Sequence, residues 1–326
     1  MTWLVTGGAG YIGAHVARAM ADTGLPVVVL DDLSTGRAEF VRPDIPFVVG
    51  SVGDADVVRA VLGDHGCTGV VHLAGFKYAG VSVERPLHTY RTNVVGMQVL
   101  LEQMVGLGVG QLVLSSSAAV YGTPDVDVVT EATPCRPESP YGESKLVCEW
   151  LLRALARVTP MTQTSLRYFN VVGSGYPDLY DTSPHNLFPL VLRALSEGRT
   201  PVVRGTDYDT PDGSCVRDYV HVQDVADAHV AAARVLDSGQ PLETVYNLGS
   251  GAGVSVLEIM AAVARATGIA FEPEIAGRRA GDPSRIVASG ELAARDLGWA
   301  VRHDVDACVR TAWDAWQRSL GRSRGL

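Results

Sequence analysis

The sequence lacks long hydrophobic runs and paired cysteines. Charged or polar residues interrupt every apolar stretch before it reaches the roughly 18 residues of a membrane-spanning helix, so we expect no membrane partner. The five cysteines are scattered and none forms a C-x-x-C pair, so we expect neither a disulfide framework nor a metal site. The first residues also lack the basic and apolar segments of a secretion signal, which favours a cytoplasmic protein.

Positive charge is scarce as well, and nearly all of it is arginine. Of the 27 basic residues only Lys77 and Lys145 are lysines, and the net charge is −9. A negative protein repels nucleic acid at long range, and no basic run with interleaved aromatic residues offsets this repulsion. We therefore expect no nucleic-acid partner, and an anionic small ligand has to be held by local donors.

Short β-branched stretches alternate with stretches of helical spacing in the first half of the chain. The strand-like stretches cover residues 3–6, 27–31, 47–50, 70–74, 112–117 and 165–170. Helical spacing of apolar residues is clear over 12–21 and 94–104. The alternation predicts an α/β fold with a Rossmann-type, doubly wound parallel sheet over residues 1–170, which is the expected first domain.

The second half of the chain has a looser pattern, rich in glycine, proline and aspartate up to about residue 214. A chain of 326 residues is long enough for two coupled domains. We predict a second, smaller α/β domain over residues 171–326 that binds the substrate, with the segment 216–237 returning to the first domain. Ser255-x-x-Glu258 is typical of a capping box that starts a helix. A ligand cleft is expected between the two domains.

A glycine-rich turn follows the first predicted strand. Its sequence, GGAGYIG at residues 7–13, leads into the first helix, where backbone N–H groups and the helix N-terminus can bind a pyrophosphate. Asp31 ends the second strand about 20 residues further on, where a carboxylate accepts hydrogen bonds from ribose hydroxyls and repels the extra phosphate of NADP. Together, the strand, the glycines, the helix and the acid predict an NAD site, so that residues 1–170 are the expected NAD-binding domain.

The stretch SPYGESK places one of the two lysines four residues after a tyrosine. Ser139 and Pro140 are typical of a helix start, so Tyr141 and Lys145 are expected one turn apart on the same helix face. By itself, this spacing also occurs on solvent-facing helices. Ser117, the last of three serines at the end of the fifth strand, is expected at the ligand-binding edge of the sheet, where it can bond the reacting oxygen.

A positive charge beside a tyrosine makes the tyrosine a usable base. To act near neutral pH, a tyrosine needs its pKa lowered from about 10 by about three units, or roughly 4 kcal/mol. One charge about 6.5 Å away supplies roughly 2.5 kcal/mol at an effective dielectric constant near 20. The oxidised nicotinamide ring is a second positive charge, and the two are about sufficient together. A compact lysine ammonium can also reach the ribose hydroxyls of a cofactor.

These residues resemble the extended short-chain dehydrogenase/reductase superfamily, and within it the UDP-glucose 4-epimerase (UDP-galactose 4-epimerase) family. The resemblance covers nearly the whole chain in order and spacing, and its most specific segment is DG-x-x-VRDY followed by VHV. The motifs that it rests on are GGAGYIG, HLAGFKYAG, SSSAAVYG, SPYGESK, RYFN, TPDGSCVRDYVHV, YNLGSG and RRAGD.

The resemblance implies a tightly bound NAD and a UDP-sugar substrate. Tyr141 is implied as the general base and acid, Lys145 as the lysine at the cofactor ribose, and Ser117 as the partner of the substrate oxygen. The residues implied to bind the cofactor are Gly7, Gly10, Tyr11, Ile12, Gly13, Asp31, Asp32, Ser34, Thr35, Gly36, Ser51, Val52, Leu73, Ala74, Gly75, Lys77, Asn93, Ser115, Tyr141, Lys145 and Tyr168. The residues implied to bind the substrate are Lys77, Ser117, Tyr141, Phe169, Asn170, Asn186, Leu187, Arg217, Tyr219, Arg279, Asp282 and Ile286.

The reaction implied by the resemblance is epimerisation of a UDP-hexose at C4. Tyr141 removes the 4-hydroxyl proton as hydride leaves C4 for NAD, the 4-keto sugar rotates, and hydride returns to the opposite face. UDP-glucose and UDP-galactose are the first choice, with UDP-glucuronate and UDP-N-acetylglucosamine as alternatives. Ala118 and Ala119 stand where related dehydratases and decarboxylases carry acidic residues, which disfavours elimination. The family also implies a homodimer through helices near 94–107 and 141–156.

Two positions depart from the family pattern, and a third is intermediate. Ser51 stands where many members carry an aspartate that contacts adenine, and Tyr78 begins a loop that differs from the enteric-type epimerases beside the sugar pocket. Ile286 is intermediate in size between the aromatic residue associated with plain hexoses and the small residue associated with N-acetylated ones. Tyr78 or Ser116 is an expected donor for a sugar carboxylate. A non-catalytic NAD-binding protein on the same fold is the alternative from a different class.

Overall fold

The structure is a computed structural model that describes residues 1–279 and 282–323. Ala280 and Gly281 of the RRAGD motif, and residues 324–326 of the predicted second domain, lie outside the described residues. The strands are β1 (Thr2–Thr6), β2 (Val27–Asp31), β3 (Phe47–Val49), β4 (Cys67–His72), β5 (Gln111–Ser117), β6 (Thr162–Tyr168), β7 (Asn170–Val172), β8 (Val202–Arg204), β9 (Val216–His221), β10 (Val245–Leu248), β11 (Gly253–Ser255), β12 (Glu274–Ala276) and β13 (Arg285–Ile286). The helices are α1 (Tyr11–Asp22), α2 (Ala55–Asp64), α3 (Ala79–Glu84), α4 (Pro86–Tyr90), α5 (Gly96–Leu107), α6 (Pro140–Leu155), α7 (Leu187–Ser196), α8 (Val222–Asp237), α9 (Val256–Thr267), α10 (Glu291–Leu297) and α11 (Val305–Ser323).

Seven parallel strands form the large sheet, in the order β3-β2-β1-β4-β5-β6-β10. From β1 the chain builds β2 and β3 to one side, and then crosses over to build β4, β5 and β6 on the other. Sheets of this kind bind ligands at the carboxyl ends of the strands, at the point where the strand order reverses. The arrangement confirms the predicted α/β fold with a Rossmann-type, doubly wound sheet.

Helices cover both faces of the large sheet, which explains its unbroken apolar strands. In β1, Trp3 and Val5 belong to the core cluster formed with α1 and α8, whereas Leu4 belongs to the cluster formed with α2, α5 and α6. All three side chains are fully buried. Burial on both faces is what a continuous apolar strand predicts. None of the helices in the described part of the chain is long and apolar enough to cross a membrane.

A second, smaller sheet contains β7, β9, β11 and β13. Strand β9 pairs in parallel with β7 and β13 and antiparallel with β11. The helix that follows, α8, packs on α1, and β10 pairs with β6 at the edge of the large sheet. The chain therefore passes between the two sheets more than once, and the domain division near residue 170 stays a prediction.

Local sequence features set some element ends, and distant contacts set others. The predicted capping box is confirmed: Glu258 N donates to Ser255 Oγ at 3.0 Å, and Ser255 N donates to the Glu258 carboxylate at 2.7 Å. The predicted strand 165–170 is two strands in the structure. It breaks after Tyr168, because Asn170 pairs with Tyr219 of β9 in the smaller sheet.

Candidate active site

The glycine-rich turn brings backbone groups together at the N-terminus of α1. Gly7 has a φ of +71°, and a Cβ on Gly13 would lie only 2.1 Å from the Gly7 carbonyl oxygen. Gly10 precedes α1, and no side chain among the described residues caps this helix end. Tyr11 and Ile12 in the first turn line a cavity. Their backbone N–H groups are therefore placed to bind an anion such as a pyrophosphate.

Asp31 ends β2 beside this turn. Its carboxylate accepts hydrogen bonds from the N–H groups of Ala9 at 3.0 Å and Leu33 at 2.8 Å. Gly36 packs against it, since a Cβ there would lie 2.6 Å from Asp31 Oδ1. Burial raises the pKa of the Asp31 carboxyl. The lone pairs that remain free on its two oxygens can accept ribose hydroxyls, which is the role predicted for this residue.

Other residues predicted to hold the cofactor lie in the loops after β2, β3 and β4. Asp32 accepts a hydrogen bond from Ser34 N at 2.9 Å. Ser51 is exposed and its hydroxyl accepts from Gly53 N at 3.1 Å, whereas Val52 is buried in the core beside α2 and α5. A hydroxyl thus stands where a carboxylate is common in the family. The remaining loop residues of the prediction are Thr35, Leu73, Ala74 and Gly75.

Helix α6 begins as its sequence predicts. Ser139 Oγ accepts a hydrogen bond from Gly142 N at 3.2 Å, and Pro140 occupies the first helical position. Tyr141 N, which also lies in the first turn, donates to Ser82 Oγ of α3 at 3.1 Å. The start of the helix is therefore held by its own cap and by a neighbouring helix, and Tyr141 lines the cavity.

Lys145 supplies the positive charge beside Tyr141. It is 6% exposed, and its Nζ donates to the Ser115 carbonyl oxygen at 2.9 Å. The imidazole of His72 bonds the hydroxyl of Thr6 at 2.8 Å and stays neutral at pH 7, because burial and the Lys145 ammonium lower the pKa of His72 to about 3. Neither the Ser115 carbonyl nor the neutral His72 ring carries a negative charge that would neutralise the ammonium. Its charge therefore remains available to a ligand or to the Tyr141 phenol.

Asn93 connects the loop after β4 to α6. It is buried and lies in a π-helical turn, Arg91–Val95, between α4 and α5. Its side chain accepts from Phe76 N at 2.6 Å and donates to the Phe76 carbonyl at 3.0 Å and to Ser144 Oγ at 2.8 Å. Ser144 in turn donates to the Tyr141 carbonyl at 2.7 Å. The predicted helix over 94–104 therefore begins in this turn. The wider spacing of a π-helical turn lets the Asn93 amide lie between the loop after β4 and helix α6.

The three serines at the end of β5 differ in what they contact. Ser115 Oγ bonds the Tyr168 hydroxyl, and Ser117 lines the cavity. Ser116 is fully buried and donates to Glu149 Oε1 at 2.6 Å. The expectation that Ser116 contacts a sugar carboxylate is therefore wrong, because the alternation of side chains along a strand turns its hydroxyl away from the cavity.

One cavity of about 570 Å³ joins the expected cofactor and substrate regions. On the cofactor side it is lined by Tyr11, Ile12 and Tyr168. The predicted substrate residues that line it are Lys77, Ser117, Tyr141, Phe169, Asn170, Asn186, Leu187, Arg217, Tyr219, Arg279 and Asp282. Ile286 is not among the described residues of the lining, since it packs in β13 against the cluster of Val120 and Phe169.

Two guanidinium groups give this cavity a site for an anion. Arg217 is 9% exposed, and it donates to the Val216 carbonyl at 2.9 Å and to Asp282 Oδ1 at 3.3 Å. Arg279 lines the same cavity and is exposed. Burial raises the pKa of the neighbouring Tyr219 hydroxyl, which is therefore neutral. Arginine forks of this kind suit a diphosphate, and the Asp282 carboxylate suits a ribose hydroxyl.

The structure also brings in residues that the sequence reasoning missed. His185 lines the cavity, and its ring meets that of Tyr78 edge-on at 4.8 Å between centroids. Asp181 also lines the cavity and accepts a hydrogen bond from Nδ2 of the predicted residue Asn186 at 2.8 Å. Further lining residues come from Tyr180, Arg204 and Trp316. No sequence motif marks them, because they lie on the loop before α7, on β8 and on α11 and meet only in the folded chain.

Comparison with known sequences finds relatives over nearly the full length of the chain. The sequence model of the NAD dependent epimerase/dehydratase family matches residues 3–249. The UDP-glucose 4-epimerase of Azospirillum brasilense is 41% identical, with 99% of this chain and 93% of the relative covered. The UDP-glucose 4-epimerase of Streptomyces lividans is 41% identical, with 97% of this chain and 96% of the relative covered. These matches confirm the resemblance that the motifs indicate.

Solved structures share the fold as well. A UDP-glucose-4-epimerase from Stenotrophomonas maltophila, with bound NAD and formylated UDP-arabinopyranose, is 38% identical with a TM-score of 0.94 over 99% of each chain. A UDP-glucose 4-epimerase from Bifidobacterium longum, in complex with NAD+ and UDP, is 35% identical with a TM-score of 0.90 over 98% of this chain and 99% of that one. The chain therefore belongs to the NAD dependent epimerase/dehydratase family, and within it to the UDP-glucose 4-epimerase family.

Proposed function

We propose that this protein is an NAD-dependent 4-epimerase of a UDP-hexose, with UDP-glucose and UDP-galactose as the first choice. The observation that supports it most directly is one cavity lined by Tyr141, Ser117 and Arg217. The first two offer acid–base chemistry at a sugar hydroxyl, and the third offers a fork for the diphosphate. Relatives that are 41% identical and named UDP-glucose 4-epimerases support the same reaction.

The residues of the large sheet fit NAD. The first turn of α1 offers backbone donors for the diphosphate, and Asp31 offers a carboxylate for the adenosine ribose. Lys145 offers ammonium protons to the other ribose. Gly13 lies close against Gly7, and this tight turn lets the backbone approach the diphosphate closely. When bound, the cofactor supplies a reversible acceptor of hydride from sugar C4. Because it is regenerated in each cycle, it has no need to dissociate.

The proton steps fall to the chain's own side chains. Tyr141 accepts the proton of the sugar 4-hydroxyl and gives it back when that hydroxyl forms again. Ser117 bonds the same oxygen, and the Lys145 charge stabilises the deprotonated phenol. Arg217 holds the diphosphate while the 4-keto sugar rotates, so that both faces of C4 are presented within one cavity.

UDP-glucuronate and UDP-N-acetylglucosamine are the alternatives at the same site. Ala118 and Ala119 form the turn after Ser117 and carry no acid for elimination, which favours epimerisation over dehydration or decarboxylation. A sugar carboxylate loses one expected donor because Ser116 bonds Glu149. This favours a neutral hexose. A non-catalytic NAD-binding protein is the candidate from a different class, and it has no use for Tyr141 and Ser117 at one cavity with Lys145 beside Tyr141.

We further propose that two copies associate through α5 and α6, and that the protein works in the cytoplasm. Apolar side chains are exposed on both helices: Val105 is 46% exposed, Leu107 44% and Trp150 54%. A second copy that covers them removes apolar surface from water. Five free thiols are consistent with a reducing compartment. A Trp150→Glu variant is expected to run as a monomer in sedimentation, and an unchanged dimer would place the contact elsewhere.

The experiment that tests the function is proton NMR of UDP-glucose, UDP-glucuronate and UDP-N-acetylglucosamine, each incubated with purified protein and no added cofactor. We expect the C4 epimer of UDP-glucose to appear, and Tyr141→Phe to abolish turnover while the NAD content stays that of the wild type. Epimerisation of one of the other sugars would identify that sugar instead. If all three sugars stay unchanged after NAD is supplied, the non-catalytic alternative is favoured.

A further inference from the structure

A buried ion pair lies beside β5 and takes no part in the proton steps. Arg167 of β6 donates from Nε and Nη2 to the two carboxylate oxygens of Glu149 on α6, at 2.8 and 2.6 Å. Arg167 is 3% exposed and Glu149 is 1% exposed. Two charges this deep need a full set of partners, because an unpaired buried charge is strongly unfavourable. The further partners of this pair indicate what it holds in place.

Glu149 connects α6 to β5. Tyr141, Lys145 and Glu149 follow one another at four-residue spacing, so they lie along one face of the helix. Lys145 donates to the Ser115 carbonyl at 2.9 Å, and Ser116 donates to Glu149 Oε1 at 2.6 Å. Two successive turns of the helix are thus bonded to two successive residues of the strand. These bonds set how far α6 lies along β5, and Ser117 is the next residue of that strand.

Arg167 connects the same pair to the turn after Ser117. Its Nη1 donates to the Tyr121 hydroxyl at 2.8 Å, and its guanidinium lies 4.9 Å from the Tyr121 ring centroid. The Tyr121 hydroxyl donates onward to Asn247 Oδ1 at 2.7 Å. Tyr121 N bonds the Ala118 carbonyl at 3.0 Å and closes the turn that begins at Ser117. Arg167 is therefore bonded to the helix of Tyr141 through Glu149 and to the turn of Ser117 through Tyr121.

We propose that Glu149, Arg167 and Tyr121 are positioning residues that set Ser117 against Tyr141 and Lys145. In this proposal they contact neither the cofactor nor the substrate. They act only by holding Ser117, Tyr141 and Lys145 in place. The inference rests on the proposed roles of Tyr141, Lys145 and Ser117. A buried ion pair adds little net stability compared with apolar residues of the same volume, whereas small displacements of reacting groups slow catalysis strongly. The arrangement therefore serves geometry more than stability.

The main test is Tyr121→Phe, with Tyr246→Phe as the matched control. Each tyrosine is fully or almost fully buried, at 1% and 0% exposure, and each bonds through its hydroxyl. The Tyr246 hydroxyl bonds Glu243 N and Asp296, away from α6 and β5. We expect Tyr121→Phe to lower kcat for UDP-glucose epimerisation roughly 10-fold with KM within about 2-fold, because displaced groups raise the barrier without weakening binding. The control keeps the kcat of the wild type.

A second pair of variants separates positioning from folding. Glu149→Gln keeps an acceptor for Ser116 and Arg167, whereas Glu149→Ala keeps none. We expect the glutamine variant to recover most of the kcat that the alanine variant loses. NAD content per chain, measured by absorbance after denaturation, and thermal unfolding are recorded for every variant. They identify protein that has lost its fold or its cofactor.

Three outcomes decide the proposal. A low kcat in Tyr121→Phe, with NAD content and melting temperature like those of the Tyr246→Phe control, supports it. Equal kcat in both tyrosine variants and in the wild type overturns it, and so does a loss of kcat that follows only the loss of stability. If the wild type epimerises none of the tested sugars, the proposed function fails instead, and that result is visible before any variant is compared.

Discussion

Lys145 on α6 and Ser115 on β5 are joined by a hydrogen bond of 2.9 Å from the ammonium to the carbonyl oxygen. The bond uses one of three ammonium protons and holds the charge 5.9 Å from the centroid of the Tyr141 ring. Two protons remain for ligand hydroxyls. The strand and the helix therefore both fix the position of the charge. Its effect can be measured by substituting Lys145 alone.

Lys145→Met tests the electrostatic role of this lysine. Loss of a charge that lies 5.9 Å from the centroid of the Tyr141 ring removes roughly 2.8 kcal/mol at an effective dielectric constant near 20, so we expect kcat to fall roughly 100-fold. NMR turnover assays of the variant and the wild type measure this loss.

Arg153→Met is the control for that variant, since it removes a positive charge from the same helix two turns further on. Its kcat is expected to match that of the wild type. Lys145→Arg is not expected to restore activity, because Lys145 is only 6% exposed and a planar, bulkier guanidinium does not replace a compact ammonium at a buried position. Full activity in Lys145→Met would show that the charge is dispensable.

Gly13→Ala tests the tightness of the cofactor turn. The added Cβ would lie 2.1 Å from the Gly7 carbonyl oxygen, which belongs to the backbone and cannot rotate away. We expect destabilisation of about 1–3 kcal/mol and loss of bound NAD, because the turn and α1 are pushed apart. NAD content and thermal unfolding measure the two effects. Gly106→Ala, in an open position on α5, is expected to retain NAD and to gain about 0.5–1 kcal/mol.

Arg217→Gln tests the diphosphate site. A charge-assisted hydrogen bond contributes about 1.5–3 kcal/mol, so the loss of this guanidinium is expected to weaken UDP binding roughly 10- to 100-fold. Calorimetric titration with UDP measures the affinity, and the NAD content is expected to be unchanged. Arg265→Gln is the matched control, because Arg265 and its partner Asp306 form an exposed ion pair outside the cavity lining. Equal UDP affinity in both variants would remove Arg217 from the substrate site.

His229 on α8 makes the fold sensitive to acid. Its ring is fully buried, its Nδ1 bonds the Val225 carbonyl at 2.8 Å, and its Nε2 has no partner among the described residues. Burial lowers the pKa of His229 to about 4 in the folded protein, whereas an unfolded histidine titrates near pH 6.5. The unfolded state therefore binds the proton first, so stability is retained above about pH 6.5 and is lost as the pH falls from 6.5 towards 4.

His229→Gln removes that titration. We expect the free energy of unfolding to fall less steeply between pH 6.5 and 4, by about 1.4 kcal/mol per pH unit, because one proton fewer is taken up on unfolding. Urea unfolding at pH 7, 6 and 5 measures the slope. His88→Gln serves as the control, because the His88 ring is exposed in the folded protein. An unchanged slope in His229→Gln would assign the acid sensitivity to other groups.

Short-range features of the fold and site could be predicted from the sequence. The first strand, the glycine turn and α1 are contiguous, so apolar period, glycine spacing and Asp31 were sufficient to predict a dinucleotide site. The cap at Ser139 and the spacing of Tyr141 and Lys145 were equally local. The break after Tyr168 was missed, because it depends on pairing with β9 far along the chain. The acidic partner of Ser116 was missed for the same reason, because Glu149 contacts Ser116 only when α6 is packed on β5.

The sequence by itself determined the sheet class, the turn that fits a diphosphate, and the helix that presents a tyrosine and a lysine on one face. These follow from periodicity, glycine conformation and capping, which act over a few residues. Only the tertiary structure decided that Ser116 donates to Glu149, that His185 meets Tyr78 across two loops, and that Arg167 bonds both Glu149 and Tyr121. Each of these contacts joins side chains from separate elements, and their meeting depends on how the sheet and helices pack.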